Sequence, residues 1–542
     1  MTGSGRVAVL AFSLSFGVML ANGRAIGSGD TNVLEKTATA LVERRTVVLK
    51  AEDGSDPFTR ATADGGRISI YSPVPALIAT PIFVAVSVFF DLNLTGIQFA
   101  GKLAAALVAS TAIGLLASCF AQRTSPGLAV VSALIVGLGT SVFSTAQALW
   151  QHPAVLLFLV IAIAALERME AVAMAADRSG PALVAAVALA LAAVSRPATI
   201  PLCAVLFGFL LIRARPFIRR ILLAAALPLL LIAAYNTTFF GAPWRFGPTL
   251  SGRFGAAFPE SIAGLLLSPA RGLLVFTPIA IVALWALIRQ ARRSTVARAL
   301  LAAASAHFLF MALWNEWHGG ESFGPRLLTD LVPALFFFLP EGLAAWPKTG
   351  VVLGFASVGA QMIGGWTYDY RWERLHQRGG EFESALWSWR DSPLAFAVRE
   401  GVVIQGVPKA DGRKLRLPLH RAVPFGPTGS IIESTSPGPR VRGTPLIRDI
   451  RLERGARITA GWMRLTHPGD ALAFRSLVDG ARTLSIAGFL QGRIRVENGS
   501  RVFTSTVAGD FAIEAPLLLE SGEDVYVRAE EGELRVARVE LR

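Results

Sequence analysis

Cysteine is almost missing from this chain, with two in 542 residues. Cys119 and Cys203 both sit inside apolar runs, where they act as small buried hydrophobes and offer neither a disulfide framework nor a cysteine metal site. Charge is scarce too. Only 17% of the residues are Asp, Glu, Lys or Arg, well below the roughly 25% of a soluble domain. Gln/Asn-rich repeats and long low-complexity tracts are absent. No H-E-x-x-H, P-loop or G-x-S-x-G pattern falls in a context that would give it meaning. These absences exclude a disulfide-stapled module and an ordinary soluble domain, and they give no support to zinc-hydrolase, nucleotide-loop or serine-hydrolase chemistry.

What remains is apolar. The chain is 53% hydrophobic, with a mean hydropathy of +0.51, and its apolar residues come in blocks approaching the roughly 20 that cross a bilayer. Residues 7–21, 74–90, 103–120, 128–145, 154–166, 182–194, 200–212, 221–235, 273–288, 299–314, 327–339 and 351–363 read as candidate spans. The expected fold is therefore a polytopic α-helical membrane protein of about 11–12 apolar segments over residues 1–365. Residues 7–21 read as an uncleaved first span, because the positive end is weak and no A-x-A site follows. The net charge of +14 does not point to nucleic acid. The arginines cluster in short loops beside apolar segments, as the positive-inside rule expects.

Those arginines set the orientation. Arg213, Arg215, Arg219 and Arg220 mark one cytoplasmic loop, and Arg289, Arg292, Arg293 and Arg298 another. Residues 236–271, 314–326 and everything after 364 are then external. Counted from a cytoplasmic N-terminus, twelve full crossings would put the first cluster on the wrong side, so one segment does not cross. The candidates are 74–90, which carries Pro75 and Pro81 and follows Pro73, and the closely spaced pair 182–194 and 200–212. The pattern changes after residue 365. Residues 366–392 form an aromatic, charged connector with Trp366, Tyr368, Tyr370, Trp372, Trp387 and Trp389. Residues 393–542 alternate in short runs divided by Gly and Pro, which reads as an external antiparallel β-sandwich, jelly-roll-like in kind.

The most polar stretch of the first half is residues 23–72, a long external first loop. Long irregular connections are usually functional or disordered. Leu34, Ala38, Leu41 and Val42 fall at helical spacing, so residues 32–45 read as an amphipathic helix on the membrane surface, capped by Asn32 and Glu35. Asp30 then lies just ahead of a helix N-terminus. It can act as a general base on an acceptor hydroxyl, or as a carboxylate that favours the helix start. In the second external loop, residues 264–274 read as another surface helix, broken at Pro269. The third external loop, WNEWHGGESFGPRLLTD from Trp314, sets Trp317 and Glu321 among glycines. Such a set suits stacking on a sugar ring and accepting its hydroxyl hydrogens, and it equally suits an interfacial tryptophan belt. Arg196 at an external membrane edge can grip a phosphate or snorkel to head groups. His152 is external by the same count, and a lone histidine of this kind is more often structural than catalytic.

Several motifs in order carry a family resemblance. They are the early Asp in the first loop, G-R-x-x-x-Y-S-x-x-P from Gly66, Ser195-Arg196-Pro197, Tyr235-Asn236 with Phe240-Gly241-x-Pro243, Leu267-Ser268-Pro269-x-Arg271-Gly272-Leu273, and Trp317-x-Gly319-Gly320-x-Ser322-x-Gly324-Pro325-Arg326. Over residues 1–365 the chain resembles the GT-C superfamily of integral-membrane glycosyltransferases, in particular the bacterial protein mannosyltransferase and aminoarabinose transferase group. The resemblance implies a polyprenyl-phosphate-linked sugar donor, an external active site and a first-loop acid as base, which here is Asp30. Many such enzymes carry an acidic pair in that loop, whereas Asp30 is flanked by Gly29 and Thr31. Arg196, Arg271 and Arg326 become the expected phosphate ligands. Arg24, Tyr71, His152, Trp317 and Glu321 become the expected substrate contacts. No metal ligands are assigned, and nothing in the residues supports a divalent metal.

The expected activity is transfer of a sugar, with inversion, from that donor to a hydroxyl of a glycan, lipid or protein acceptor outside the bacterial inner membrane. A transporter or flippase for lipid-linked sugars would use the same external pocket but needs an inward-open path, and no inverted repeat is visible. A non-catalytic platform presenting the β-rich tail is the third reading. The topology is directly testable. Cysteines placed at Arg215 and Gly480 should differ in labelling by an impermeant thiol reagent on spheroplasts, with Gly480 labelled. Equal labelling would contradict the arrangement.

Overall fold

The computed structural model describes residues 3–49, 57–62, 65–172, 178–245, 254–255, 258–368, 370–379 and 382–400, and strands between 430 and 541. It divides into two compact units: 1–402 with 407–421, and 403–406 with 422–542. The first unit is a helical bundle. All twelve apolar segments are helical over most of their length, because each is a near-continuous run of apolar residues whose few Ser and Thr side chains, such as Ser15, Thr80 and Ser132, bond back to a carbonyl four residues earlier. Four helices among the described residues are long and apolar enough to cross a membrane: Gly3–Ala21, Leu94–Phe120, Arg215–Phe240 (whose first turn is 3-10) and Thr295–Ala312. Leu94–Phe120 is the bundle's spine. Its alanines, among them Ala105, Ala106, Ala109 and Ala112, are buried, and small residues let neighbouring backbones approach closely. Ile218–Phe240 lies at the periphery and exposes Leu222, Leu223, Leu227, Leu230 and Leu231, as a lipid-facing helix does.

Among the described residues, breaks fall inside three of the expected segments. Val74–Phe89 is continuous despite Pro81, although its 16 residues reach only about 24 Å. The expected segment 128–145 is instead two helices, Pro126–Leu138 and Ser141–Thr145. Segment 273–288 divides into Leu273–Phe276 and Ala280–Ala291 around Pro278. Segment 327–339 begins as the 3-10 helix Arg326–Leu331 and bends by 71° between Arg326–Phe336 and Leu339–Ala345.

The first loop is a folded cap. Its helix runs Gly29–Arg44, three residues earlier than expected. Asn32 and Glu35 are therefore not its cap. Ser28 is the N-cap, and its amide donates to Thr31 Oγ1 at 3.0 Å. Asp30 consequently lies inside the first turn. The helix does not merely lie on a surface. Leu34 and Ala38 pack with Ala76, Ala79 and Phe83 of the next helix and with Ala100 and Ala104 of the spine. Its other side packs Val33 and Ala40 against Leu49, Phe58 and Tyr71. A two-stranded hairpin, Thr59–Ala61 with Arg67–Ser69, closes the cap. Gly29 is required there, since a Cβ would meet Phe58 Cε2 at 1.9 Å.

The second external loop breaks at Pro269 as expected, although its helix starts before residue 264. Phe258–Leu267 ends before Pro269, which has no N–H to continue it, and Ser268 Oγ accepts from the amides of Ala270 and Arg271 to make the turn. The tail does not begin as strand at Pro393, because Pro393–Glu400 is helical. The runs near 402–407 and 414–419 lie outside the described residues. Among the described residues of the second unit, nine strands, all paired antiparallel, join in one hydrogen-bonded network. Asp524–Leu541 is central, pairing with Gly480–Asn498 on one side and with Ala471–Ser476, Trp462–Leu465 and Ser430–Thr435 on the other. Val525 and Val527 are buried, and their cross-strand partners Phe474, Leu472 and Val496 are buried with them. That is the alternation read from the sequence.

One buried acid docks the cap helix. Glu35 is 2% exposed, accepts from the Leu149 amide at 3.3 Å and fills a notch at Gly101, where a Cβ would lie 2.4 Å from Glu35 Oε1. Burial raises its pKa from 4.5 to about 8, against the lowering effect of that amide. An acid harder to ionise folded than unfolded makes the fold lose stability as pH rises from about 4.5 through about 8. Glu35→Gln keeps the acceptor and removes the charge. It should match the wild-type melting temperature near pH 4 and exceed it at pH 9, and an equal or lower value at pH 9 would contradict the burial argument.

Candidate functional site

The cap helix and the loop at 316–326 meet at one ion pair. Arg326 Nη1 donates to Asp30 Oδ2 at 3.0 Å, and Arg326 Nη2 donates to Gly319 O at 2.6 Å. Three glycines make that return possible. Gly319, Gly320 and Gly324 have φ of 75°, 64° and 72°, a region open to glycine and costly for other residues. The Arg326 guanidinium lies 4.5 Å from the Trp150 ring centroid, and the Trp150 indole donates to Ile26 O at 3.2 Å. Arg326 Nε is buried without a hydrogen-bond partner. Tyr71, at the end of the first loop, lies beside Asp30. Burial first, then the Asp30 charge, holds that phenol well above its usual range, while Arg326 and Arg196 act the other way.

Behind the pair lies a buried carboxylate. Asp330 Oδ1 accepts from His152 Nδ1 at 2.8 Å, and Oδ2 accepts from Arg196 Nη1. His307 Nε2 is 4.0 Å from Oδ2. In front lies a small cleft, partly open to solvent. Ser144, Thr145, Ser322 and Arg326 supply polar groups to it, and Trp150, Phe323, Tyr368 and Tyr370 supply rings. Ser322 Oγ is buried and unpartnered.

The remaining sequence-predicted residues frame this cleft or lie away from it. Arg24 ties the loop start to the back wall, donating to Gly365 O at 3.3 Å and to Tyr368 O. Lys102 of the spine reaches the same place, bonding Gln147 Oε1 at 3.0 Å and Arg24 O at 2.5 Å. Glu321 is half-buried and acts on Tyr370 by its charge. Trp317 is not an open stacking face. It is buried against Gly264, near Trp387. Arg271 is 1% exposed and bonded inside the protein through all three nitrogens: Nε to His318 O at 3.0 Å, Nη1 to Ala270 O at 3.0 Å, and Nη2 to Gly320 O at 3.1 Å and Glu373 Oε1 at 2.7 Å. The connector is packed accordingly, with Trp372 fully buried under Arg271.

Asp30, Tyr71 and Arg326 thus come together, while Arg196 and His152 meet at Asp330. The sequence reading missed Asp330, Trp150, Ser322 and Tyr370. Asp330 had a signal, since a carboxylate inside an apolar segment demands a partner. Among the described residues no group of three or more His, Cys, Asp or Glu is placed to hold a metal ion.

No protein-family model matches the chain, and no curated protein sequence matches it. Solved structures do. An oligosaccharyltransferase of Archaeoglobus fulgidus in its apo form aligns at 12% identity and a TM-score of 0.38, over 77% of this chain and 61% of that one. Its complex with zinc and sulfate aligns at 14% and 0.40, over 76% and 59%. The archaeal oligosaccharyltransferase AglB from the same organism, with an inhibitory peptide and a dolichol-phosphate, aligns at 13% and 0.40, over 77% and 61%. The chain spans about three fifths of the length of these structures.

Removing one partner of a buried pair strands the other charge at a cost of about 3–5 kcal/mol. Arg271→Ala should therefore lower the melting temperature of the purified protein sharply, by much more than Arg326→Ala, whose carboxylate partner Asp30 is partly exposed. A normal melt for Arg271→Ala, together with lost binding of a polyprenyl phosphate, would return Arg271 to the ligand set.

Proposed function

We propose that the chain is a GT-C-type glycosyltransferase that moves a sugar from a polyprenyl-phosphate donor to an acceptor hydroxyl outside the membrane, with inversion. The observation that carries this is the Asp30–Arg326 pair, whose arginine lines the hydroxyl- and ring-lined cleft. It joins a carboxylate suited to proton removal with a guanidinium suited to a phosphate, at the edge of a bundle of apolar helices. The order of motifs over residues 1–365 supports the same reading.

In this mechanism the donor phosphate draws Arg326 from Asp30 and engages its unpartnered Nε. Arg196, with one nitrogen on Asp330, offers its others to the same group. Asp30, released, takes the proton of the acceptor hydroxyl. The acceptor oxygen attacks the anomeric carbon as the bond to the phosphate oxygen breaks, and the phosphate leaves with the electron pair. Preorganised arginines contribute most where charge develops in this way. Ser144, Thr145 and Ser322 face the sugar hydroxyls, and Trp150 and Phe323 face its ring. Arg271 and Trp317 are left out because their groups are already used inside the fold, and Arg24 and His152 support the site without touching substrate. The localisation that follows is the bacterial inner membrane, with the strand-rich unit on the external side as a two-layered module.

The test is Asp30→Asn. Asn can still accept from Arg326 and still suits a helix start, so insertion and donor binding should survive. Sugar transfer from a labelled polyprenyl-phosphate donor should fall by roughly 10²–10⁴, the usual contribution of a positioned base. Full turnover by this variant would remove Asp30 as the base.

A further inference from the structure

We propose that Asp330 is a positioning residue that sets the spacing between Arg196 and Arg326 so that both can meet one phosphate; the inference rests on the function proposed above. Its carboxylate is fully buried. A buried charge is costly unless paired, and here both oxygens are used: Oδ1 by His152 at 2.8 Å and Oδ2 by Arg196. Those contacts join three separate pieces of chain, and each piece delivers a group to the site.

The first piece is Arg196. It lies at the break between Ser179–Ser195 and Ile200–Arg213, in extended backbone with φ −151°. Nothing helical fixes its side chain there, and Asp330 does. The second is His152, which opens the helix His152–Ala171. Two residues before it, Trp150 underlies the Arg326 guanidinium. The third is Asp330's own 3-10 helix, Arg326–Leu331, whose first residue is Arg326. That helix is pinned where Thr329 Oγ1 meets Ser141 Oγ at 2.9 Å and Arg326 O at 2.7 Å. One carboxylate therefore fixes Arg196 directly, and Arg326 both through the backbone and through the ring beneath it.

The charges around the site fit this role. At rest two arginines face two carboxylates, Arg326 with Asp30 and Arg196 with Asp330. Asp30 is partly exposed and can exchange its arginine for a phosphate, whereas Asp330 is sealed and keeps its own. Arg196 then approaches the phosphate from a fixed position with its remaining N–H groups.

The experiment measures binding of undecaprenyl phosphate to the full chain in nanodiscs, for the wild type, Asp330→Asn, Arg196→Gln and the double variant. Asp330→Asn should weaken binding about 10- to 100-fold, the worth of a charge-assisted hydrogen bond. In the Arg196→Gln background it should add only the smaller part, about 2- to 10-fold, that it exerts on Arg326 through His152 and the backbone; a general loss of structure would not show such non-additivity. Wild-type affinity in Asp330→Asn, or additive losses in the double variant, would overturn the proposal while leaving the function standing. A wild-type chain that binds no undecaprenyl phosphate would overturn both. If Asp330→Asn does not fold, His152→Gln carries the test, since it removes one donor and leaves Asp330 its arginine. A loss of about 2- to 10-fold supports the proposal, and unchanged binding overturns it.

Discussion

Arg326 and Asp30 are 296 residues apart in the chain and 3.0 Å apart in space. Closing that distance organises the helical unit. Asp30 needs the first loop folded as a cap, which needs Leu34 and Ala38 seated on the helices behind it and Gly29 bare beneath Phe58. Arg326 needs its loop to double back through three left-handed glycines and its helix to start as a 3-10 turn. Each charge neutralises the other in the resting state. The site is therefore held shut by the two groups that the proposed reaction must separate.

The surrounding polar groups keep that pair in register. On one side Arg271 and Glu373 anchor the loop at His318 and Gly320. On another, Arg24 and Lys102 join the start of the cap to the spine and to the wall at Gly365 and Tyr368. Beneath, Asp330 holds Arg196 and His152. Buried ion pairs are weak sources of stability, because desolvation consumes most of their attraction. Their concentration around one cleft is better explained by geometry than by energy, because directional bonds fix the spacing and orientation of the groups that make them.

Much of this was legible in the sequence. The apolar blocks gave the helices, and the alternating runs gave antiparallel strands in the second unit. The polar first loop drew attention to Asp30, and the third loop to Arg326. The failures have physical causes. The helix start at Gly29 was missed because Ser28 and Thr31 cap it with one amide bond, while Asn32 and Glu35 gave the more familiar pattern. Arg271 and Trp317 looked like ligand groups because arginine and tryptophan in an external loop suit a sugar phosphate. Whether such a side chain faces outward or is used inside depends on a distant partner, Glu373 for one and Gly264 for the other. The same holds for Asp330, whose partners lie 178 and 134 residues away.

The central claim is that a lipid-linked phosphate replaces Asp30 as the partner of Arg326. It is tested most directly by a density map of the purified protein with undecaprenyl phosphate bound. The account predicts phosphate density within hydrogen-bond reach of Arg326 and Arg196, the Arg326–Asp30 contact opened, and the Arg196–Asp330 contact kept. Phosphate seated elsewhere with the Arg326–Asp30 pair intact would contradict it.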